Sequence, residues 1–297
     1  MALVSRLRQA FEIGEHSLAL VSKHEEEAEG FVIERLGFVN GFGETVRGIL
    51  TRPVGEGCWP GILCIHAHGG RYDIGADEML SGRKALLGPL GPVFAKAGYV
   101  SVMIDMPAFG VRANPDESAR AKARLWLGKS LAGQMLGEQH AALAWLSQRS
   151  DVKAGQVGVF GISMGATLGY WLAAVETGIA CAAHLCCYAD FGELVRTGAH
   201  DLHGIYLTIP GLLAVAPNGA IAGCIAPRPQ LIGIGDLDPL TPPQAVDLAL
   251  MQTRQSYREC GADDRLLLVR EANSGHVETP AMRQAVMAFF RDHLATG

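Results

Sequence analysis

At 297 residues the chain suits one large domain with insertions, or two smaller domains of about 150 residues each. Its 25 Lys and Arg against 30 Asp and Glu give a net charge of −5, which lacks the basic field that gathers phosphates, so no nucleic-acid partner is expected. Hydrophobic residues make up 49%, and 37 Gly far exceed the usual share of about 7%; disorder is excluded, and a large core with many tight turns is expected.

Leu3, Leu7, Phe11, Leu18 and Val21 recur at helical spacing ahead of Glu25, Glu26, Glu27 and Glu29. Residues 1–30 therefore read as an amphipathic N-terminal helix, docked on the body at 31–297 or, in a homo-oligomer, on a second copy. Arg6, Arg8 and Glu12 interrupt any secretory apolar core, so a cytoplasmic location is expected. Segments 31–38 and 45–52, broken at Asn40-Gly41, read as two antiparallel strands. The run Gly61-Ile62-Leu63-Cys64-Ile65 is continuously apolar, as a strand buried on both faces is, and it ends in His66-Ala67-His68-Gly69-Gly70.

Helix and strand then alternate: helix 86–97, strand 99–104, helix 134–148, strand 156–160, helix 164–174. Strands 180–188 and 230–234, helix 243–257, strand 265–269 and helix 281–293 follow. This order predicts an α/β fold with a mainly parallel sheet and helices on both faces. Segments 71–85, 106–131 and 190–226 stand outside the alternation. Long connections of this kind are usually functional, so they are read as pocket walls, with 190–226 as a lid.

Two uncharged stretches, 154–175 and 202–227, have the length of a membrane span. Their many glycines, with Ser163 in the first and Pro210 and Pro217 in the second, fit buried strand, helix and lid instead, and no membrane partner is expected. Seven cysteines, an odd number with no C-x-x-C pair, read as reduced thiols, and no metal site is expected.

The chemistry centres on Gly161-Ile162-Ser163-Met164-Gly165, a G-x-S-x-G nucleophile elbow. The apolar strand Val157-Gly158-Val159-Phe160 runs into it, and Ala166, Leu168, Trp171 and Leu172 begin a helix straight after it, which is the setting an elbow requires. A Ser hydroxyl is a poor nucleophile until a base takes its proton and an acid orients that base. Beyond the acid region lie His276 and His293; His293 falls inside an amphipathic terminal helix, whereas His276 follows the apolar strand 266–269 in the turn Asn273-Ser274-Gly275. His276 is the candidate base. Asp236 and Asp238, after strand 231–234, are candidate acids, and Asp190 is a third. A tetrahedral oxyanion needs two preorganised N–H donors, one of them the amide of Met164 directly after the nucleophile.

With elbow, acid loop and His loop in this order, the chain after residue 30 resembles the α/β-hydrolase family. The resemblance implies the α/β-hydrolase fold and a Ser-His-Asp triad, with no metal or organic cofactor. In relatives the acid loop reads G-x-x-D-x-x-T/V-P-P, which maps onto residues 235–243 and selects Asp238. Relatives show H-G-x-G after the strand at 61–65, which makes His68 the second oxyanion residue. Ala67 departs from the usual Gly, and Gly69 or Gly70 is the fallback. Asp105-Met106-Pro107 with Gly110 and Arg112 resembles the family's turn after its fourth strand, with a structural role.

His203-Gly204-Ile205-Tyr206, Pro210-Gly211-Leu212 and Ile225-Ala226-Pro227-Arg228-Pro229 resemble the bacterial dienelactone-hydrolase-like or acetylxylan-esterase-like branch. Dienelactone hydrolases proper carry a Cys nucleophile, and this chain has Ser163. The expectation is a serine hydrolase of short-acyl esters or lactones with a small-molecule substrate. The same triad also serves peptidases, carbon–carbon bond hydrolases and acyltransferases, and the fold also serves non-catalytic binding modules.

Overall fold

Residues 2–295 are described by a computed structural model. The strands are β1 (Leu18–Ala28), β2 (Phe31–Asn40), β3 (Thr45–Arg52), β4 (Trp59–Ile65), β5 (Val100–Ile104), β6 (Val152–Ile162), β7 (Cys181–Leu185), β8 (Gln230–Gly235) and β9 (Leu266–Glu271). They form one sheet in the order β1-β2-β3-β5-β4-β6-β7-β8-β9. From β5 to β9 neighbours run parallel, whereas β1, β2 and β3 add an antiparallel edge.

The helices are α1 (Leu3–Ala10), α2 (Glu78–Ser81), α3 (Leu90–Lys96), α4 (Glu117–Trp126), α5 (Leu131–Ser147), α6 (Met164–Val175), α7 (Phe191–Thr197), α8 (Leu212–Val215), α9 (Asn218–Gly223), α10 (Pro243–Glu259) and α11 (Pro280–His293). Alternate strand residues feed two cores, because side chains in a strand point to opposite faces. Leu63, Ile65, Val157 and Val159 join Leu168 and Trp171 of α6 in one core. Ile62, Cys64, Phe160 and Ile162 join Phe94 of α3 and Phe290 of α11 in the other.

The expected N-terminal helix over 1–30 is corrected: α1 stops at Ala10, and Leu18–Ala28 is a strand. Glu12 at φ 53° and Gly14 at φ 89° turn the chain out of the helix. β1 then hydrogen-bonds along β2, satisfying an edge that would otherwise be open. Val21, expected on an apolar helical face, is 62% exposed. Tertiary pairing overrides a helical period carried by only two residues after Phe11. Phe11 itself docks on the body, stacked on Trp171 at 5.3 Å between ring centroids.

The parallel block places the site. After β4 the chain adds β5 on one side of β4 and then β6 on the other. The connections thus part at the carboxyl ends of β4 and β6, the kind of crevice where open α/β sheets bind ligands. His66 to Gly70 leave β4 there, and Ser163 leaves β6. Segment 190–226 departs after β7 and returns ahead of β8, carrying α7, α8 and α9 with two 3-10 turns. Among the described residues no helix is long and apolar enough to cross a membrane.

Candidate active site

Ser163 stands between β6 and α6 at φ 59° and ψ −123°, a region that costs a non-glycine residue about 1–3 kcal/mol. The neighbouring glycines are sterically required. A Cβ at Gly161 would strike the carbonyl of Gly165, and one at Gly165 would strike the carbonyl of Ile65. Leu185 of β7 accepts the Ser163 amide at 2.9 Å, and the Ser163 carbonyl takes the amide of Ala166 at 2.9 Å. These bonds hold the strained turn.

His276 lies in the loop after β9, and its Nε2 accepts the Ser163 hydroxyl at 2.9 Å. Its Nδ1 donates to Oδ2 of Asp238 at 2.6 Å. The Asp238 side chain is fully buried and also accepts the Leu240 amide at 2.9 Å. The other two acids have different partners: Asp236 pairs with Arg270 at 2.6 Å, and Asp190 caps α7 by accepting the Glu193 amide at 2.9 Å. His293 closes α11, packed on Phe289.

The loop after β4 is tied down from several directions. Glu78 accepts the Ala67 amide at 3.0 Å, Arg83 donates to the His68 carbonyl at 2.8 Å, and the Gly70 amide donates to Nδ1 of His68 at 3.1 Å. Among the described residues the amides of His68, Gly69 and Met164 make no hydrogen bond. Gly70, one of the two fallback donors, is therefore already engaged. Glu78 and Arg83 are in contact, and burial pushes the Glu78 carboxyl up despite that guanidinium. A cavity of about 450 Å³ opens here, lined by Ser163, His276, Gly69, Ile74, Arg83 and Val277.

Two buried thiols beyond the end of β7 are unsuited to attack. Cys186 and Cys187 follow β7, and burial raises both, Cys187 to about 12, so neither offers a thiolate at neutral pH. Asp105 does what the sequence suggested, accepting the amides of Ala76 at 2.6 Å and Val111 at 2.9 Å and pairing with Arg47.

The profile of the dienelactone hydrolase family matches residues 46–189. The Bacillus subtilis protein YtaP, a hydrolase by name, is 34% identical over 271 residues, which span 91% of this chain and 90% of YtaP. The chain belongs to the dienelactone hydrolase family. Solved structures give the same fold. An acetyl xylan esterase from Paenibacillus sp. R4 aligns at a TM-score of 0.68 and 18% identity, covering 98% of this chain and 93% of that one. A glucuronoyl esterase from Solibacter usitatus aligns at 0.65 and 13% identity, covering 98% and 92%. The α/β-hydrolase fold expected from the motif order is thus the fold of this member of a hydrolase family.

Sequence reasoning missed Glu78, Arg83 and Glu117, the charged residues that brace the loop after β4. Their segments, 71–85 and 106–131, stood out as breaks in the helix-strand alternation, but no motif marked the individual residues.

Proposed function

We propose that this member of the family is a serine hydrolase of carboxylic esters, acting on short acyl groups or lactones of similar size. The observation that carries the reading is the continuous contact from Ser163 Oγ through His276 to Asp238, with the serine held at φ 59° on the strand-to-helix turn. Geometry of this kind serves nucleophilic acyl transfer.

Ser163 Oγ attacks the acyl carbon while its proton passes to Nε2 of His276. Asp238 fixes the tautomer and stabilises the imidazolium, and the oxyanion is held by the amides of Met164 and His68. Collapse breaks the bond to the alcohol, which leaves with the proton from His276 and yields an acyl-enzyme. Water, deprotonated by His276, then attacks the acyl carbon; the bond to Ser163 Oγ breaks as His276 returns the proton to that oxygen, and the acid is released. The free amides of Met164 and His68 favour this assignment, with Gly69 as the alternative donor. The 190–226 insertion acts as the lid. Acetyl xylan esterase and glucuronoyl esterase, the names of two structural neighbours, agree with ester cleavage.

The test is labelling with a fluorophosphonate followed by an ester panel. Wild type is labelled at Ser163 and hydrolyses short esters, and Ser163→Ala loses about 10⁶ in kcat while keeping its fold. A Ser163→Ala protein that keeps a tenth of the activity would overturn the reading. Activity confined to amides or β-diketones would move it to peptidase or carbon–carbon bond hydrolase chemistry.

A further inference from the structure

Glu117 opens α4, and only 7% of its side chain is exposed. Three donors from two distant stretches, the loop after β4 and the insertion, converge on its carboxylate: His68 Nε2 at 2.9 Å and the Tyr72 hydroxyl at 2.7 Å on Oε2, and the Tyr206 amide at 3.0 Å on Oε1. Burial works to raise this carboxyl, but the hydrogen bonds from His68 and Tyr72 outweigh it and hold the group below the usual range. It is a charged acceptor satisfied by both the loop after β4 and the insertion.

The His68 ring transmits that hold. Because Nδ1 accepts the Gly70 amide, the hydrogen sits on Nε2 and points to Glu117. The ring stacks on Tyr206 at 5.5 Å and meets Phe109 edge-on at 5.2 Å. Gly204 lets the insertion come this close, since a Cβ there would stand 2.8 Å from Glu117 Oε1 and 2.9 Å from His68 Nε2. The loop itself has little intrinsic stiffness, with Gly69 at φ 54° and Gly70 at φ 64°.

We propose that Glu117 is a positioning residue that locks the 204–206 stretch of the insertion to the His68 loop, so that the His68 amide faces the reacting carbonyl as a fixed donor. The proposal rests on the esterase reading above. An oxyanion donor is effective because it is oriented before the charge develops. With Glu117 neutralised, His68 and the Tyr206 amide lose their shared anchor, and seating of the insertion no longer sets the donor.

The experiment compares wild type, Glu117→Gln and Tyr72→Phe, with active sites counted by phosphonate titration. Glu117→Gln should lower kcat per titrated site by about 10- to 100-fold with KM within about twofold. A boronic acid that forms a tetrahedral adduct should bind more weakly by the same factor, and hydrogen exchange at the Tyr206 amide should accelerate. Tyr72→Phe should show the same pattern more mildly, which decides the matter if the Gln variant does not fold. Unchanged kcat per titrated site, or unchanged Tyr206 exchange, overturns the proposal. Wild type that neither takes the phosphonate nor cleaves esters sinks the esterase reading instead, and the exchange measurement still tests the link between insertion and loop.

Discussion

Gly165 lies directly against the carbonyl oxygen of Ile65, so the first turn of α6 and the end of β4 meet backbone to backbone. That contact fixes how closely the elbow and the start of the loop after β4 approach each other. The second glycine of the elbow therefore serves the approach of two elements, while the first, Gly161, serves the turn itself.

Gly165→Ala should be costly at a position where alanine otherwise favours a helix. The added carbon meets rigid backbone, so overpacking of about 1–3 kcal/mol is expected, together with loss of activity. Chemical denaturation and ester hydrolysis measured on the same preparation check it. Alanine tolerated in both would mean that β4 and α6 have room to separate.

Asp238→Asn should cost about 10⁴ in kcat, because an amide opposite Nδ1 favours the wrong tautomer of His276. Asp236→Asn removes one partner of Arg270, which also pairs with Asp247, and should leave kcat nearly unchanged. Side-by-side kinetics decide between the two acids, and a larger loss at Asp236 reverses the assignment.

Glu44 gives an expectation for acid stability. Burial alone would raise its carboxyl, but the guanidiniums of Arg120 and Arg112 outweigh it and hold the group at about 2, against an ordinary 4.5. A folded-state value below the unfolded one stabilises above the unfolded value, and the benefit is lost as pH falls from about 4.5 towards 2. Thermal unfolding of wild type and Glu44→Gln should differ most near neutrality and converge towards pH 2. A constant gap across that range would remove Glu44 from the acid response.

Acyl length tests the pocket. With about 450 Å³ beside Ser163 and short helices in place of one long amphipathic helix over 190–226, p-nitrophenyl acetate to butyrate should give the highest kcat/KM in a series from two to twelve carbons. A maximum at eight or more would point to an extended acyl channel.

The parallel sheet was legible because its strands are continuous apolar runs between helices of clear period. Ser163 and His276 were legible because an elbow and a glycine-bearing turn after a strand have local signatures. The choice of Asp238 over Asp236 rested on resemblance, since both lie in one loop, and what separates them is spatial: Arg270 reaches one and His276 the other. β1 was misread because Leu18 and Val21 continue a helical spacing by chance, and strand pairing with β2 is a long-range event that no local pattern announces. Glu117 was invisible for a related reason, as its three donors come from positions 68, 72 and 206, and only folding brings them together.

The order of the parallel block also bears on biosynthesis. Ser163 and His276 are 113 positions apart, with β7, the 190–226 insertion, β8 and β9 between them. A growing chain thus completes its strand-to-helix elbow long before the proposed base, His276, has been made. Until β9 docks, Ser163 lacks its hydrogen-bond partner His276, so the proposed hydrolysis waits on the completed sheet. On the proposed mechanism the topology therefore defers reactivity until β9 and the loop that follows it are in place.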